Sequence, residues 1–512
     1  MTESSLFRAI FQAQNKQAKE EQGGLVAKQV LIDAFVQSGF LEDDPRAKSL
    51  FNSLRQAPEL IDETTFQSLV ELSPALVEQV LTGQLAIPQF QDFTATLSAI
   101  FETVSTNCSG KLADYIPQLE RVDPEKFAMS LCTVDGQRFA IGDSDDYFCV
   151  QSCSKPITYC LALEEHGDRV HKYVGAEPSG KTFNELTLNA KGQPHNPMIN
   201  AGAIMCGSLI KQGKPPSDRF DYVMKQWKDL AGGMKVGFDN AVYLSERQTA
   251  DRNFALGYFM REKRAFPEGV DLHDALEFYF QCCSIEVTTK AMSVIAATLA
   301  NGGICPITGL RVFRPDNVKN CLSLMSSCGM YDFSGEFAFR VGIPAKSGVS
   351  GAILLVIPNV LGMAVWSPRL DELGNSVRGV DFCRSLVEKF KFHTFDSMLG
   401  LTDDRIDPRR NIYESRLSGV VAFCWAASED DVAEMRRLTA RGLSPAVSDY
   451  DGRTALHLAA SEGKVAALRY LLSLGVPVDP VDRWGNTPLD DAIRQGHDNI
   501  VSILSEYGKV IQ

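Results

Sequence analysis

Apolar residues recur at helical spacing soon after the start of the chain. The positions on one helical face are Val26, Val30, Leu31, Ala34 and Phe35. The same spacing continues to about residue 95 and is typical of amphipathic helices whose apolar faces meet in a core. Residues 1–98 are therefore predicted to form a small N-terminal helical domain.

A polar turn divides this helical region. Asp43-Asp44-Pro45 is predicted to precede a helix, with Pro45 at the first helical position. The paired helices resemble the EF-hand arrangement, yet the sequence has no D-x-[DN]-x-[DN]-G loop closed by a glutamate. Calcium binding is therefore not expected.

Strand patterns mark both ends of the middle region. Residues 127–141 are predicted to form a β-hairpin about Asp135-Gly136, and residues 351–366 a second pair of strands about Pro358-Asn359. Helical segments such as 291–300 lie between them. We expect an α+β domain over residues 99–395, with one antiparallel sheet built from distant segments and a helical lobe inserted.

The end of the chain repeats itself every 33 residues. Three series share this spacing: Gly442, Gly475 and Gly508; Leu438, Leu471 and Leu504; and Ala426, Ala459 and Ala492. Residues 451–460 and 484–492 also match the ankyrin pattern around T-P-L-H-x-A. An all-α ankyrin array is predicted over 416–512, behind a charged linker at 396–415, and it is expected to bind a protein or to serve in oligomerisation or stability.

Composition excludes several classes of function. The 512 residues carry a net charge of -13, which disfavours binding to nucleic acid or anionic lipid. No apolar run is long enough to span a membrane, and the start lacks a secretory signal. We therefore expect an intracellular protein that does not insert into a membrane. The 13 cysteines and seven histidines show no zinc spacing, so reduced thiols, no metal and no cofactor are expected.

A serine and a lysine form the first candidate for chemistry. Ser152 and Lys155 form S-x-x-K after a predicted strand at 147–150 and at the start of a helix predicted to run to about Glu165. Positions i and i+3 share a helix face, so the amine can take the hydroxyl proton if its pKa is lowered. Two other pairs, Ser208/Lys211 and Ser461/Lys464, have no supporting motif and are interpreted as structural.

A second motif strengthens this hypothesis. Lys346-Ser347-Gly348 precedes the strand predicted at 352–357 and is similar to the K-T-G of penicillin-recognising enzymes. A K-S-G segment alone is more often a surface turn. Its order after S-x-x-K and a helical lobe favours a serine acyl hydrolase, in which the glycine lets the strand edge approach the substrate.

Nine segments together resemble the serine-dependent glutaminase family. They are Tyr115–Leu119, Cys132–Gly136, Gln151–Pro156, Pro194–Ile204, Ser245–Glu246, Asp251–Asn253, Phe278–Phe280, Cys328–Gly335 and Ala345–Val349. The resemblance covers the whole middle region, and the flanking helices and ankyrin tail are similar to the animal-type members. It implies a β-lactamase-like catalytic domain that hydrolyses L-glutamine to L-glutamate and ammonia through a serine acyl-enzyme.

The resemblance also implies roles for single residues. Ser152 would be the nucleophile, Lys155 its base or proton relay, and Tyr331 a proton shuttle to the departing ammonia. The residues implied in substrate binding are Tyr115, Ser152, Asn200, Glu246, Asn253, Tyr279, Tyr331 and Val349. A carboxylate suits the α-ammonium of glutamine, amides and a phenol suit its α-carboxylate, and the Val349 N–H would bind the oxyanion.

Family resemblance further implies a homotetramer, with phosphate as a candidate activator. Glu185 stands where a basic residue is usual, Thr187 where an aromatic is usual, and Phe259 where a second tyrosine is usual. We therefore expect catalysis to be retained and anion activation to be altered. The resemblance favours a mitochondrial location, whereas the lack of a clear presequence leaves a cytoplasmic one open.

Two alternatives remain at the level of sequence. The first is an S-x-x-K hydrolase of β-lactams or peptides, which the lack of a Ser-Asp-Asn motif between Lys155 and Lys346 disfavours. The second is an ankyrin scaffold with an inactive hydrolase domain, which the intact Ser152, Lys155, Tyr331 and Lys346 disfavour.

Overall fold

A computed structural model describes residues 25–180, 185–398, 405–409, 412–440 and 443–510. The chain divides into two compact units between His393 and Thr394, and each is described by itself. In the first unit, the N-terminal helices are α1 (Lys28–Gln37), α2 (Lys48–Gln56), α3 (Glu63–Val70), α4 (Pro74–Thr82) and α5 (Phe90–Ser105).

The N-terminal helices pack around buried phenylalanines, among them Phe35, Phe51 and Phe66. A two-residue ladder joins β1 (Val26–Ala27) to β2 (Leu60–Ile61). The prediction for Pro45 was wrong, because α2 begins at Lys48. The Asp44 carboxylate accepts hydrogen bonds from the Arg46 backbone and guanidinium, and these bonds hold residues 44–46 in a turn.

One five-stranded antiparallel sheet forms the centre of the first unit. Its strands are β3 (Ala128–Thr133), β4 (Arg138–Gly142), β8 (Ala345–Gly348), β9 (Ala352–Ile357) and β10 (Leu361–Trp366). Their order is β4-β3-β10-β9-β8, so β3 and β10 lie side by side although the paired residues Thr133 and Leu361 are 228 positions apart in the sequence. Gly136 and Asn359 have positive φ in the turns of the two predicted strand pairs. The predicted sheet is confirmed.

Helices cover both faces of this sheet. Helix α12 (Thr289–Ala300) lies on one face, where a Cβ at Gly362 would be 2.1 Å from the Ala297 nitrogen, so only glycine permits this approach. Helices α5 and α15 (Val377–Lys389) pack on the other face. The boundary predicted at 98/99 falls inside α5, and the domain limits stay predictions.

The inserted lobe is mainly helical. Its helices are α6 (Ser154–His166), α7 (Asn200–Leu209), α8 (Pro216–Leu230), α9 (Asn240–Gln248), α10 (Asp251–Glu262), α11 (Leu272–Cys283), α13 (Pro315–Cys328) and α14 (Ser334–Arg340). A second sheet joins β5 (Phe148–Cys149), β7 (Ile285–Val287) and β6 (Gly237–Phe238) in that order. Strands of two or three residues are too short to show a period in the sequence.

The second unit is helical and repetitive. Its helices are α16 (Ile412–Ser428), α17 (Val432–Ala440), α18 (Ala455–Ser461), α19 (Val465–Ser473), α20 (Pro488–Gln495) and α21 (Asp498–Val510). The predicted alanine and leucine series, Ala426, Ala459, Ala492, Leu438, Leu471 and Leu504, are buried in its core. Gly475 has a φ of 73° after α19, as a C-terminal cap requires, whereas Gly442 lies outside the described residues. Helix α16 begins within the predicted linker at 396–415.

Two global features bear on the sequence expectations. In the portion of the chain that the structure describes, no helix combines the length and the apolarity needed to cross a membrane. The cysteines are free thiols, and all except Cys108 are buried.

Candidate active site

Ser152 lies in a short 3-10 turn, Gln151–Cys153, between β5 and α6. The expectation that Ser152 opens an α-helix was therefore slightly wrong, because the α-helix begins at Ser154. Gln151 has a φ of 47°, in the left-handed region that non-glycine residues rarely occupy. This backbone reversal presents the Ser152 side chain at the base of a pocket instead of along the helix surface.

Lys155 contacts the serine directly. Its Nζ lies 2.5 Å from Ser152 Oγ and donates to Asn200 Oδ1 at 2.9 Å. The lysine is 1% exposed. Burial lowers the pKa of Lys155, and the nearby Glu246 carboxylate opposes this shift. The amine is therefore more easily neutral than a surface lysine, which a proton acceptor for Ser152 requires.

The K-S-G segment forms β8 and lies against the Ser152 turn. A Cβ at Gly348 would be 2.8 Å from the Val150 carbonyl oxygen, so glycine is needed for this approach. Lys346 Nζ donates to the carbonyl oxygens of Gly329 at 3.0 Å and Ser347 at 2.7 Å. Lys346 is thus a buried part of the site, and the alternative of a surface turn is excluded.

Burial, assisted by the charge of Lys155, lowers the pKa of Lys346 to about 7. In the unfolded chain the amine titrates near its ordinary value of 10.5. Between these two values the unfolded state binds more protons, so stability rises with pH. At neutral pH the penalty for the buried amine is at most about 5 kcal/mol.

We expect wild type to gain stability relative to Lys346→Met as the pH rises. The difference between their free energies of unfolding should increase by about 1.4 kcal/mol per pH unit between about pH 7 and 9. Methionine has a similar length and does not titrate there. Urea unfolding at several pH values measures the difference. A difference independent of pH would show that Lys346 does not titrate in this range.

Tyr331 also interacts with Ser152. It is buried at the start of a 3-10 turn, Tyr331–Phe333, and has a φ of 53°. Burial raises the pKa of Tyr331, and a hydrogen bond with Ser152 opposes the shift. The Lys346 ammonium lies 4.5 Å from the centre of its ring. The phenol therefore stays protonated at neutral pH beside the nucleophile.

A pocket of about 240 Å³ opens onto Ser152. Its lining residues are Tyr115, Gln151, Ser152, Asn200, Glu246, Thr249, Ala250, Arg252, Asn253 and Tyr279. Asn200 Nδ2 donates to Asn253 Oδ1 at 3.0 Å. Hydrogen bonds therefore connect Lys155, through the Asn200 amide, to the Asn253 amide in the pocket wall. Amides, phenols and one carboxylate therefore face a cavity suited to a small zwitterion.

Glu246 is the buried carboxylate of this pocket. Gln151 Nε2 donates to its Oε2 at 3.3 Å. Burial raises the pKa of Glu246 to about 7, while Gln151 and Lys155 oppose the shift. Such a carboxylate gains stability when a cationic group binds beside it, because the cation favours the ionised form.

Most of the predicted site residues meet at this pocket. Lys155, Tyr331 and Val349 are not among its lining residues, and Val349 lies in a neighbouring apolar cluster with Tyr331. Its backbone N–H has no hydrogen-bond partner among the described residues. Gln151 was absent from the predicted set, although its position next to Ser152 was an available signal.

The other two S-x-x-K pairs have structural contacts. Ser208 Oγ is buried in α7 and donates to the Met205 carbonyl oxygen at 2.7 Å. Lys211 pairs with Glu165 at 3.1 Å instead of with Ser208. Ser461 ends α18 in the second unit. Neither serine lines the pocket of Ser152.

Comparison with known families identifies both units. Residues 110–395, more than half of the chain, match the family model described as Glutaminase. The chain belongs to the glutaminase family. Residues 423–512 match the model described as Ankyrin repeats (3 copies). The predicted resemblance is thus confirmed, and this glutaminase is an enzyme that hydrolyses L-glutamine to L-glutamate and ammonia.

Individual relatives support the assignment. The chain is 47% identical over 479 residues to the mitochondrial "Glutaminase liver isoform" of Mus musculus, covering 92% of this chain and 79% of the relative. It is 45% identical over 291 residues to a "Glutaminase" of Nostoc sp., covering 56% of this chain and 86% of the relative.

Solved structures share the fold. The "Probable glutaminase from Bacillus subtilis complexed with 6-diazo-5-oxo-L-norleucine" has a TM-score of 0.51 and 31% identity, covering 57% of this chain and 92% of that one. The "Probable glutaminase ybaS" has a TM-score of 0.54 and 37% identity, covering 57% and 96%. The predicted α+β, β-lactamase-like class is confirmed.

Proposed function

We propose that this glutaminase acts through a covalent glutamyl ester on Ser152. The contact between Ser152 Oγ and the buried Lys155 Nζ carries the proposal. With Lys155 neutral, its amine accepts the hydroxyl proton as Oγ attacks the side-chain amide carbon of glutamine. The new C–O bond places negative charge on the amide oxygen, and the Val349 N–H donates to it.

Collapse of this intermediate breaks the C–N bond. The departing nitrogen takes a proton through Lys155 and Tyr331, whose phenol lies beside Ser152, and leaves as ammonia. A water molecule then gives its proton to the same base and attacks the ester, which releases glutamate and restores Ser152. The base therefore takes up and gives back one proton in each half of the cycle: the Ser152 proton leaves with the ammonia, and the water proton restores the Ser152 hydroxyl.

The pocket residues are proposed to orient the substrate. Glu246 pairs with the α-ammonium, whereas Asn200, Asn253 and Tyr115 bind the α-carboxylate, and Tyr279 closes the wall. Tyr115 is half exposed as a whole, but desolvation of its phenol end in the pocket raises the pKa of Tyr115 well above its usual value, and the charge of Glu246 adds to the shift. The phenol therefore remains a hydrogen-bond donor at neutral pH. Such donors discriminate against substrates that leave them unpaired.

The variant Glu246→Gln is expected to have a KM for the substrate L-glutamine that is raised by about 30-fold or more, since loss of a buried charge pair costs about 2–5 kcal/mol. The same carboxylate predicts a pH dependence: in wild type, kcat/KM should rise with pH through about 7, because Glu246 ionises there. Steady-state rates between pH 6 and 9 measure both effects. Glu262→Gln, on the exposed end of α10, is the control. An unchanged KM in Glu246→Gln would remove the carboxylate from the substrate site.

The acyl-enzyme itself has a direct test. Rapid acid quenching during turnover should yield the peptide containing Ser152 with the added mass of one glutamyl group. Asparagine, shorter by one methylene, is the control substrate and should leave the peptide unmodified. A quenched enzyme without the adduct at saturating glutamine, with turnover proceeding, would favour direct attack by water.

Assembly and location are proposed from the family and its named members. We infer a homotetramer from the resemblance to the glutaminase family, a mitochondrial location from the named liver isoforms, and a protein partner from the ankyrin array. We also infer altered phosphate activation. Glu185 and Tyr331 line one cavity of about 710 Å³, and a carboxylate there disfavours an anion.

A further inference from the structure

Three metal-binding side chains from distant parts of the chain meet beside the Ser152 turn. Cys149 ends β5, Asp239 immediately precedes α9, and Glu286 lies in β7. Their Sγ and carboxylate oxygens lie within 4.8 Å of one another. Cys149 and Glu286 are opposite residues of two antiparallel strands, so their side chains share one face of the small sheet.

The carboxylates of this cluster are not neutralised by the protein. The Glu286 carboxylate accepts no hydrogen bond and forms no ion pair within 4.0 Å among the described residues. Asp239 uses Oδ1 to accept from the backbone of Ala241 and Val242, which leaves Oδ2 for another group. Burial raises the pKa of Glu286, and the charge of Lys235 opposes this rise. The Lys235 ammonium itself, however, lies over the Tyr147 ring, 5.5 Å from its centre, and not in an ion pair with Glu286.

A cavity of about 90 Å³ adjoins the cluster and is lined by all three residues. Ser350 also lines it, is 8% exposed, and its hydroxyl has no hydrogen-bond partner in the described part of the chain. The amide oxygen of Gln118, another lining residue, is likewise buried and unpartnered there. A cavity of this size holds an ion and a water molecule, since about 10–15 Å³ of such volume suffices for one water.

We propose that Cys149, Asp239 and Glu286 bind a zinc ion, with a water held by Ser350 as the fourth ligand. A sulfur ligand disfavours magnesium and calcium, which prefer oxygen, and the mixed sulfur and carboxylate set suits zinc. Ligands around one tetrahedral zinc lie about 3.5 Å apart, so small rotations of the two partly exposed carboxylates complete the geometry.

Zinc at this position would link two parts of the active site. Cys149 lies three residues before Ser152, and Asp239 caps the helix that carries Glu246. The ion would therefore fix the nucleophile turn relative to the substrate carboxylate. The ligands come from residues 149, 239 and 286, which is why no zinc spacing appears in the sequence.

Equilibrium dialysis of the full chain against zinc, followed by metal analysis, tests the proposal without depending on turnover. Wild type should bind one zinc per chain at this site. Cys149→Ser and Glu286→Gln should weaken binding at least about tenfold, since even outer-shell changes cost about 10- to 100-fold. Asp239→Asn, which keeps the helix cap, should also weaken it. Calcium and magnesium in place of zinc should not bind.

Cys108→Ser is the matched control, because it removes the exposed thiol and leaves the cluster intact. It should retain the zinc. Circular dichroism of each variant separates loss of binding from loss of fold, and Asp239→Asn decides the matter if a substitution of Cys149 or Glu286 does not fold. The proposal is overturned by wild type that binds no zinc, or by binding that is equal in wild type and Asp239→Asn.

Discussion

Ser152→Ala is expected to lower kcat for glutamine by at least about 10⁴-fold while the enzyme still binds its substrate. The Oγ atom forms the bond to the substrate in the proposed mechanism, and no other hydroxyl lies against Lys155 at the base of the pocket among the described residues. Release of ammonia and glutamate from L-glutamine measures the loss. Isothermal titration with glutamine verifies that the variant still binds.

The chain supplies its own matched control for this substitution. Ser208 is also buried and also stands three residues before a lysine, but within the described part of the chain its hydroxyl bonds only to Met205. Ser208→Ala should keep nearly the full rate. Substantial release of ammonia by Ser152→Ala, with phosphate present or absent, would assign the nucleophile to another group.

Lys155→Ala and Lys155→Arg are both expected to lower kcat by about 10³-fold, within the range of general base catalysis. Arginine keeps the positive charge but does not give up its proton, so it separates proton transfer from electrostatic stabilisation. The rate of wild type should rise with pH as the buried amine, whose pKa is lowered, loses its proton. Initial rates between pH 6 and 10 provide the measurement.

Two further variants complete this comparison. Lys211→Ala, in the second S-x-x-K pair, should leave kcat unchanged. The double variant Ser152→Ala, Lys155→Ala should be no slower than Ser152→Ala alone, because the two groups act as one unit. A Lys155→Arg enzyme with wild-type turnover would show that Lys155 supplies charge only, and the proton would then pass to Tyr331.

The sequence predicted those features that rest on long patterns or on motifs. Strands β3, β4, β9 and β10 have five or six residues each, enough for their apolar pattern and turns to be recognised. The ankyrin helices follow from a 33-residue period. Ser152 and Lys155 needed only the spacing of three residues on one turn, and the structure places their atoms in contact.

Features that depend on contacts between distant segments could not be predicted. The two-residue strand β5 exists because β7, more than 130 residues later, pairs with it. The left-handed conformation of Gln151 follows from tertiary packing, since glutamine has no preference for it. Lys346 was recognised within K-S-G, but its lowered pKa depends on burial beside Lys155, which the sequence does not show.

The positive φ angles at Gln151 and Tyr331 are a cost that the fold carries for the active site. Each such residue costs of the order of 1–3 kcal/mol, which the surrounding fold must offset. Glycine would remove this strain, but both side chains are buried, and the cavity left by Tyr331 alone would cost about 3–5 kcal/mol. Laboratory selection for survival at high temperature is therefore expected to change other positions, and the selected enzymes would keep the amide beside Glu246 and the phenol beside Ser152.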